Sequence, residues 1–228
     1  MEIVILKNLK ARIRRLVSTL YFNNSEDYWK KRYDCGGNSG SGSYGNLAEF
    51  KGQVISDFVK ENRITSAIEF GSGDGNQLKY IKMPNYLGFD ISETAIENCK
   101  NIFKEDQNLK FKLLKDFQGE KADLVLSIDV IFHLIEDRIY YEYMNRLFSS
   151  SLKFVIIYSS DSDLHHSNFA PHFKQRAFTK WVEKNFPAFS LIKKIPNQYP
   201  YDGTERTSVS DFFIYEKRDS QDLGLNAV

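Results

Sequence analysis

The sequence predicts an α/β protein with a seven-stranded, mostly parallel sheet, helices on both faces and a helical lid at the N-terminus. From residue 64 onward, short apolar runs alternate with amphipathic helical patterns, and two late apolar runs have no helical pattern between them. Parallel neighbours need crossover connections, which the helices supply. The two late runs suit an antiparallel pair at the sheet's edge.

Each strand is predicted from a short run of apolar residues, and each helix from an apolar period of three or four. The predicted strands are Ser66 to Phe70, Tyr86 to Phe89, Leu109 to Leu114, Asp123 to Ile128, Phe154 to Ser159, Leu191 to Ile195 and Phe212 to Glu216. The predicted helices between them are Ile91 to Phe103 and Arg138 to Phe148. An earlier helix, capped by Asn46, is expected to end near Glu61.

The chain divides into an extension (residues 1–62), a main domain (63–218) and a tail (219–228). The extension opens with a basic amphipathic helix that suits docking on the fold or contact with a membrane surface. Five of the 13 glycines then fall between Cys35 and Gly45, which predicts an irregular Gly/Ser-rich lid, with a flexible linker as the alternative.

Composition excludes several classes of protein. The formal net charge of +1 gives no field to gather nucleic acid, and no apolar run approaches the roughly 20 residues needed to span a bilayer. The two cysteines, Cys35 and Cys99, lie in no metal or redox spacing. A cytoplasmic location is expected.

The decisive motif follows the first predicted strand, where Gly71, Gly73 and Gly75 allow a tight turn and close approach of a ligand. Asp90 ends the next strand, where a carboxylate can accept hydrogen bonds from ribose hydroxyls. Asn76 stands where a dinucleotide-binding turn has Gly or Ala, which disfavours a nicotinamide oxidoreductase. Glu69 suits a cationic ligand such as S-adenosylmethionine.

These segments, EFGSGDG, YLGFDIS and DLVLSIDVIFHL, resemble those of class I S-adenosylmethionine-dependent methyltransferases, which have a Rossmann-like fold, over about residues 64–160. The resemblance implies S-adenosylmethionine as the cofactor, S-adenosylhomocysteine as the product and three groups of binding residues. These are Glu69, Gly71, Ser72 and Gly73 for the methionine half, Asp90 and Ile91 for the ribose, and Asp116 and Phe117 for the adenine.

Asp129 and His133 follow the fourth predicted strand, at the carboxyl edge where open α/β sheets bind ligands. His133 is a candidate general base for a hydroxyl acceptor, with a structural histidine that packs under the cofactor as the alternative. Asp129 is expected to position the methionine half or the acceptor.

Polar residues also follow the fifth predicted strand. If the segment after it is helical, His172 and Arg176 share a face and can clamp a phosphate or carboxylate. His165, His166 and His172 have no standard metal spacing, so a metal is the weaker alternative.

Three flanking segments, YWKKRYDCGGNSGSGSYGNLAEFK, HFKQRAFTKWVEKNFP and TSVSDFFIYEK, resemble methyltransferases of bacterial surface-polysaccharide biosynthesis, including those proposed for O-methyl phosphoramidate decoration. This resemblance implies O-methylation of a small anionic acceptor, phosphate- or sugar-linked, in capsule biosynthesis. The alternatives are a non-catalytic cofactor-binding scaffold and a metal-dependent O-methyltransferase. The implied acceptor lid consists of Tyr28, Arg32, Tyr33, Ser39 and Lys51.

Overall fold

A computed structural model describes residues 22–163 and 170–218. The basic first helix, the tail, His165 and His166 lie outside the described residues. The described helices are α1 (Ser25–Asp34), α2 (Gly45–Glu61), α3 (Glu93–Ile102), α4 (Asp137–Ser149) and α5 (Phe178–Asn185). The strands are β1 (Ala67–Phe70), β2 (Tyr86–Asp90), β3 (Leu109–Leu113), β4 (Ala122–Ile128), β5 (Ser151–Ser159), β6 (Phe189–Ile195) and β7 (Asp211–Lys217).

The seven strands form one sheet in the order β3-β2-β1-β4-β5-β7-β6. The first five are parallel, and β7 pairs antiparallel with both β5 and β6. The predicted Rossmann-like architecture is confirmed. The strand order reverses between β1 and β4, and open α/β sheets bind ligands at the carboxyl ends of the strands beside such a reversal.

Apolar residues cover both faces of the sheet. On one face, Ile55 of α2 and Ile96 of α3 pack against β1 to β5 and β7, and on the other, Met144 of α4 and Val182 of α5 pack against β1, β2 and β4 to β7. Because Ile55 lies in the same cluster as the central strands, α2 is part of the main hydrophobic core.

Local capping differs from expectation in one place. The Ser92 hydroxyl accepts a hydrogen bond from the Ala95 amide and begins α3, as capping residues do. The prediction for Asn46 was wrong, since Tyr44 is the N-cap and α2 begins two residues earlier than expected, and the Asn46 side-chain amide donates to the Arg206 carbonyl instead. In the part of the chain that the structure describes, no helix combines the length and apolar character that crossing a membrane requires.

Tyr143 of α4 braces the end of β1. Its buried hydroxyl donates to the Phe70 carbonyl (2.8 Å) and lies 2.7 Å from the Ser127 hydroxyl. Because Phe70 immediately precedes the glycine turn, α4 fixes the point at which the chain leaves the sheet.

Tyr143→Phe is expected to lower the free energy of unfolding by about 1–3 kcal/mol, because it leaves buried polar groups with fewer partners. Tyr141→Phe is the matched control in the same helix, and because Tyr141 is 44% exposed this change should affect stability little. Denaturant unfolding of the three proteins measures both effects, and equal midpoints would contradict the bracing role.

Candidate active site

A cavity of about 280 Å³ lies at the carboxyl ends of β1, β2 and β4, where the strand order reverses. Its floor comes from these strand ends and its roof from α1, whose Ser25, Trp29 and Tyr33 follow at intervals of four residues. Seven of the predicted cofactor residues line it, namely Glu69, Gly71, Ser72, Gly73, Asp90, Ile91 and Asp129.

The glycine turn needs glycine for both conformation and space. Gly71 and Gly73 have φ values of +89° and +57°, which side chains other than glycine rarely adopt. A Cβ at position 71 would lie 2.6 Å from a methyl carbon of Val130, and one at position 73 would collide with the Ser39 hydroxyl. The turn is therefore packed between the end of β4 and the lid.

Asp90 holds the turn in place. Its carboxylate accepts hydrogen bonds from the amides of Gly73 and Ser92, both at 2.9 Å. Burial raises the pKa of Asp90, and these amide donors offset part of that effect. The carboxylate therefore braces the turn as well as facing the cavity.

Glu69 places a buried carboxyl group on the cavity floor. It accepts a hydrogen bond from the Tyr86 hydroxyl. Burial raises the pKa of Glu69 to about 7, although the Tyr86 hydrogen bond and the charge of Lys51 oppose the shift. A cationic group in the cavity would favour the ionised carboxylate, so this floor suits a positively charged ligand.

Asp129 and Lys51 form a buried ion pair next to the cavity. The Lys51 Nζ lies 2.5 Å from the Asp129 Oδ2, and the Lys51 side chain is 0% exposed. Asp129 has φ +57°, a costly conformation for a residue other than glycine, and Ser210 donates to its other oxygen at 3.3 Å. The pair thus joins α2 of the extension to the end of β4.

The Gly/Ser-rich segment is bonded to the glycine turn. Ser39 donates its amide to Asp74 Oδ2 (2.9 Å) and accepts from the Asp74 amide through its hydroxyl (3.1 Å). The Tyr44 hydroxyl donates to the same carboxylate, and Asn76 donates to the Ser43 carbonyl. Tyr33 and Ser39 line the cavity, so this segment and α1 cover it together.

His133 lies on the cavity wall beside the lid. Its Nδ1 is 2.8 Å from the carbonyl oxygen of His172 and therefore carries the hydrogen, since a carbonyl only accepts. Burial lowers the pKa of His133 to about 4, and the Arg32 charge adds to the shift. The neutral ring therefore has its unprotonated nitrogen at Nε2, and the ring lies edge-on to that of Trp29 (4.8 Å between centroids).

His172 links this histidine to the lid. Its ring stacks on Tyr28 at 4.1 Å, with the Tyr28 hydroxyl 3.3 Å from Nε2. Arg32 donates to the Tyr28 hydroxyl at 3.2 Å and to the Asn38 carbonyl at 2.5 Å. Burial also lowers the pKa of His172 to about 4, with the neighbouring His133 and Arg32 adding to the shift.

The helical clamp of His172 and Arg176 does not form. The helix begins only at Phe178, because Asp161 and Asp163 accept hydrogen bonds from the Thr179 and Ala177 amides. Arg176 instead donates to Asp137 (2.9 Å) and lies over the Tyr140 ring (4.3 Å). Its guanidinium is therefore engaged by Asp137 and Tyr140, and no hydrogen bond joins it to His172.

Asp116 and Phe117 do not line the cavity. Asp116 ends a short 3-10 turn after β3, and the Phe117 ring packs edge-on against Phe70 and Phe89. Leu114 of the same turn reaches the cavity in their place.

The sequence reasoning missed several cavity residues. Trp29 was detectable from its four-residue spacing to Ser25 and Tyr33, whereas nothing in the sequence marks Gln77 or Arg146. In residues 22–163 and 170–218, no three His, Cys, Asp or Glu side chains are grouped to hold a metal ion.

A family model described as a methyltransferase domain matches residues 68–150. These residues include most of β1, the glycine turn, Asp90 and His133. No functionally curated protein has a sequence that matches the chain significantly.

Solved methyltransferase structures share the fold. The methyltransferase domain of bacterial CtHen1-C is 17% identical with a TM-score of 0.57, covering 76% of this chain and 100% of its own. The N-methyltransferase NodS from Bradyrhizobium japonicum WM9, in complex with S-adenosyl-L-homocysteine, is 8% identical with a TM-score of 0.61, covering 86% and 100%. Magnesium protoporphyrin IX methyltransferase (ChlM) from Synechocystis PCC 6803, with S-adenosylhomocysteine bound, is 15% identical with a TM-score of 0.56, covering 90% and 99%.

Gly73→Ala is expected to weaken binding of S-adenosylhomocysteine by at least about 10-fold, because the new methyl group collides with Ser39 and displaces the lid. Gly203→Ala is the matched control, since Gly203 has φ +92° but a Cβ there would have no atom within 4 Å. Both variants carry the strain of a left-handed conformation, and only the first alters the cavity. Calorimetry on the folded proteins measures the difference, and equal affinities would contradict it.

Proposed function

We propose that this S-adenosylmethionine-dependent methyltransferase methylates a hydroxyl oxygen on a small anionic acceptor held between His133 and the lid. The observation that carries the proposal is the neutral His133, which faces the cavity with Nδ1 bound to a carbonyl and Nε2 free to accept a proton. The donor supplies a methyl group already activated by its sulfonium.

The cavity's carboxylates hold the donor in a defined direction. Glu69, at the end of β1, attracts the cationic methionine half, and Asp129, held by Lys51 at the end of the neighbouring β4, accepts a hydrogen bond from the donor's ammonium group. Asp90 at the end of β2 accepts from the ribose. This order leaves the methyl group on the β4 side of the cavity, which is the side of His133.

His133 removes the proton that the acceptor hydroxyl must lose. Methyl transfer is an in-line displacement, so the enzyme mainly aligns the acceptor oxygen, and its proton becomes strongly acidic as the new bond forms. A weakly basic imidazole is then a sufficient acceptor. The carbonyl of His172 fixes the ring orientation and the tautomer.

The anionic part of the acceptor is assigned to Arg32. Its guanidinium donates to the Tyr28 hydroxyl, which lies 3.3 Å from Nε2 of His172, so an anion beside these histidines would be within its reach. Arg176 is unsuited to this role because Asp137 and Tyr140 hold it. A phosphate- or sugar-linked anion fits a guanidinium that donates in two directions.

The setting in surface-polysaccharide biosynthesis, with a phosphoramidate as one acceptor, is supported by the resemblance of the three flanking segments. A screen of phosphorylated sugars, nucleotide-linked phosphoramidates and glycan fragments for S-adenosylhomocysteine release tests it. Turnover with one of these acceptors supports the proposal. Binding of the donor without turnover on any of them would favour the scaffold.

His133→Asn is expected to lower kcat by about 10²-fold to 10⁴-fold, with affinity for S-adenosylhomocysteine close to wild type. Asn keeps an N–H donor for the His172 carbonyl but lacks a basic nitrogen. Near-normal kcat in a folded His133→Asn protein would exclude the base role.

The pH dependence gives a second measurement. Since His133 must be neutral and its pKa is about 4, kcat should be level from pH 8 to 6 and fall only near pH 4. Because the pKa of His133 is lower in the folded protein, the unfolded chain takes up the proton at a higher pH. The free energy of unfolding therefore also declines as pH falls below about 6.5. Rates are therefore corrected for the folded fraction, and a corrected midpoint near 6.5 would contradict the buried neutral histidine.

Arg32→Ala is expected to raise KM for an anionic acceptor by about 10-fold or more, the cost of one charge-assisted hydrogen bond. Arg176→Ala is the control, because it should lower stability while leaving that KM unchanged. Steady-state kinetics with the acceptor from the screen distinguish them. If only Arg176→Ala raised the KM, the result would instead favour the hypothesis that His172 and Arg176 bind the anion.

A further inference from the structure

One wall of the cavity is a face of α4 that carries two arginines, of which one forms an ion pair and the other does not. Arg138, Glu142 and Arg146 follow at intervals of four residues and all line the cavity. Arg138 pairs with Glu142 at 3.1 Å and is largely exposed. The Arg146 guanidinium makes no hydrogen bond or ion pair with any residue in 22–163 or 170–218, so its polar groups are available to a ligand.

Arg146 lies at the β3 end of the cavity. Its Cζ is 5.8 Å from the centroid of the Phe117 ring, which follows β3 and packs edge-on against Phe89 of β2. Leu114, from the turn after β3, lines the cavity at the same end. This end is remote from Asp129, because β2 and β1 separate β3 from β4 in the sheet.

The orientation of the donor in the cavity determines which part of the donor reaches the β3 end. Its positive charges belong near Glu69 and Asp129, on β1 and β4, and its ribose belongs at Asp90 on β2. In S-adenosylmethionine the base is attached to the ribose on the side opposite the sulfonium. The adenine must therefore extend toward β3.

We infer that Arg146 binds the donor's adenine through the flat face of its guanidinium. A guanidinium is planar and weakly hydrated, and it stacks on aromatic rings. At this end of the cavity Leu114 and the α4 face supply the wall, while Asp116 does not reach it. The inference depends on the identity of the donor and is independent of the acceptor.

Calorimetry with two ligands tests the inference. S-adenosylhomocysteine and 5′-methylthioadenosine share the adenine and ribose, but only the first carries the amino-acid carboxylate. Arg146→Ala should weaken both by the same factor, about 3-fold to 30-fold. Arg146→Lys keeps the charge but loses the plane, and should recover little of the affinity. Asn145→Ala is the control, because Asn145 is exposed in the same helix and does not line the cavity, and it should leave both affinities unchanged.

Each other outcome overturns the inference. A loss confined to S-adenosylhomocysteine would place Arg146 at the carboxylate, and unchanged affinities for both ligands would remove it from the donor site. If Arg146→Ala does not fold, as judged by thermal denaturation, the more conservative Arg146→Lys decides between these results. Failure of the wild-type protein to bind either ligand would instead reject the donor itself.

Discussion

The buried ion pair of Lys51 and Asp129 is the interaction on which the site depends. Lys51 belongs to α2, Asp129 follows β4, and Ser210 precedes β7, so one polar cluster, an ion pair with a hydroxyl bonded to it, joins three separate parts of the chain. Removing one partner from such a pair costs about 3–5 kcal/mol, since it strands the other charge in the interior. The Lys51 ammonium also lies over the Tyr158 ring at 5.2 Å, which lowers the cost of burying it.

That pair also explains why the lid contains glycine where it passes the sheet. A Cβ at position 42 would lie 3.1 Å from the Asp129 Oδ2, closer than side chains normally approach. The lid can therefore rest directly on the buried carboxylate. Together with the bonds between Ser39 and Asp74, this contact makes the Gly/Ser-rich segment an ordered cover of the cavity.

The parts of the site that the sequence predicts are those whose cause is local. Gly71 and Gly73 occupy positions that need positive φ, and Asp90 ends a strand that its own apolar run reveals. The motif and its spacing are therefore enough to predict these residues. Arg176 was misplaced because the spacing to His172 has meaning only inside a helix, and two aspartates delay the start of α5 to Phe178. Arg146 has no local signature, since its role depends on which face of α4 meets the cavity.

The position of β7 has a consequence for the order in which the protein folds. It is the last of the strands in residues 22–163 and 170–218 but lies inside the sheet, between β5 and β6. Until residue 217 has been synthesised, the edge of β5 is an unpaired hydrophobic template of the kind that promotes aggregation. Ser210, which bonds Asp129, arrives with the same strand, so a nascent chain completes this part of its sheet and the polar contacts beside the cavity in a single late step.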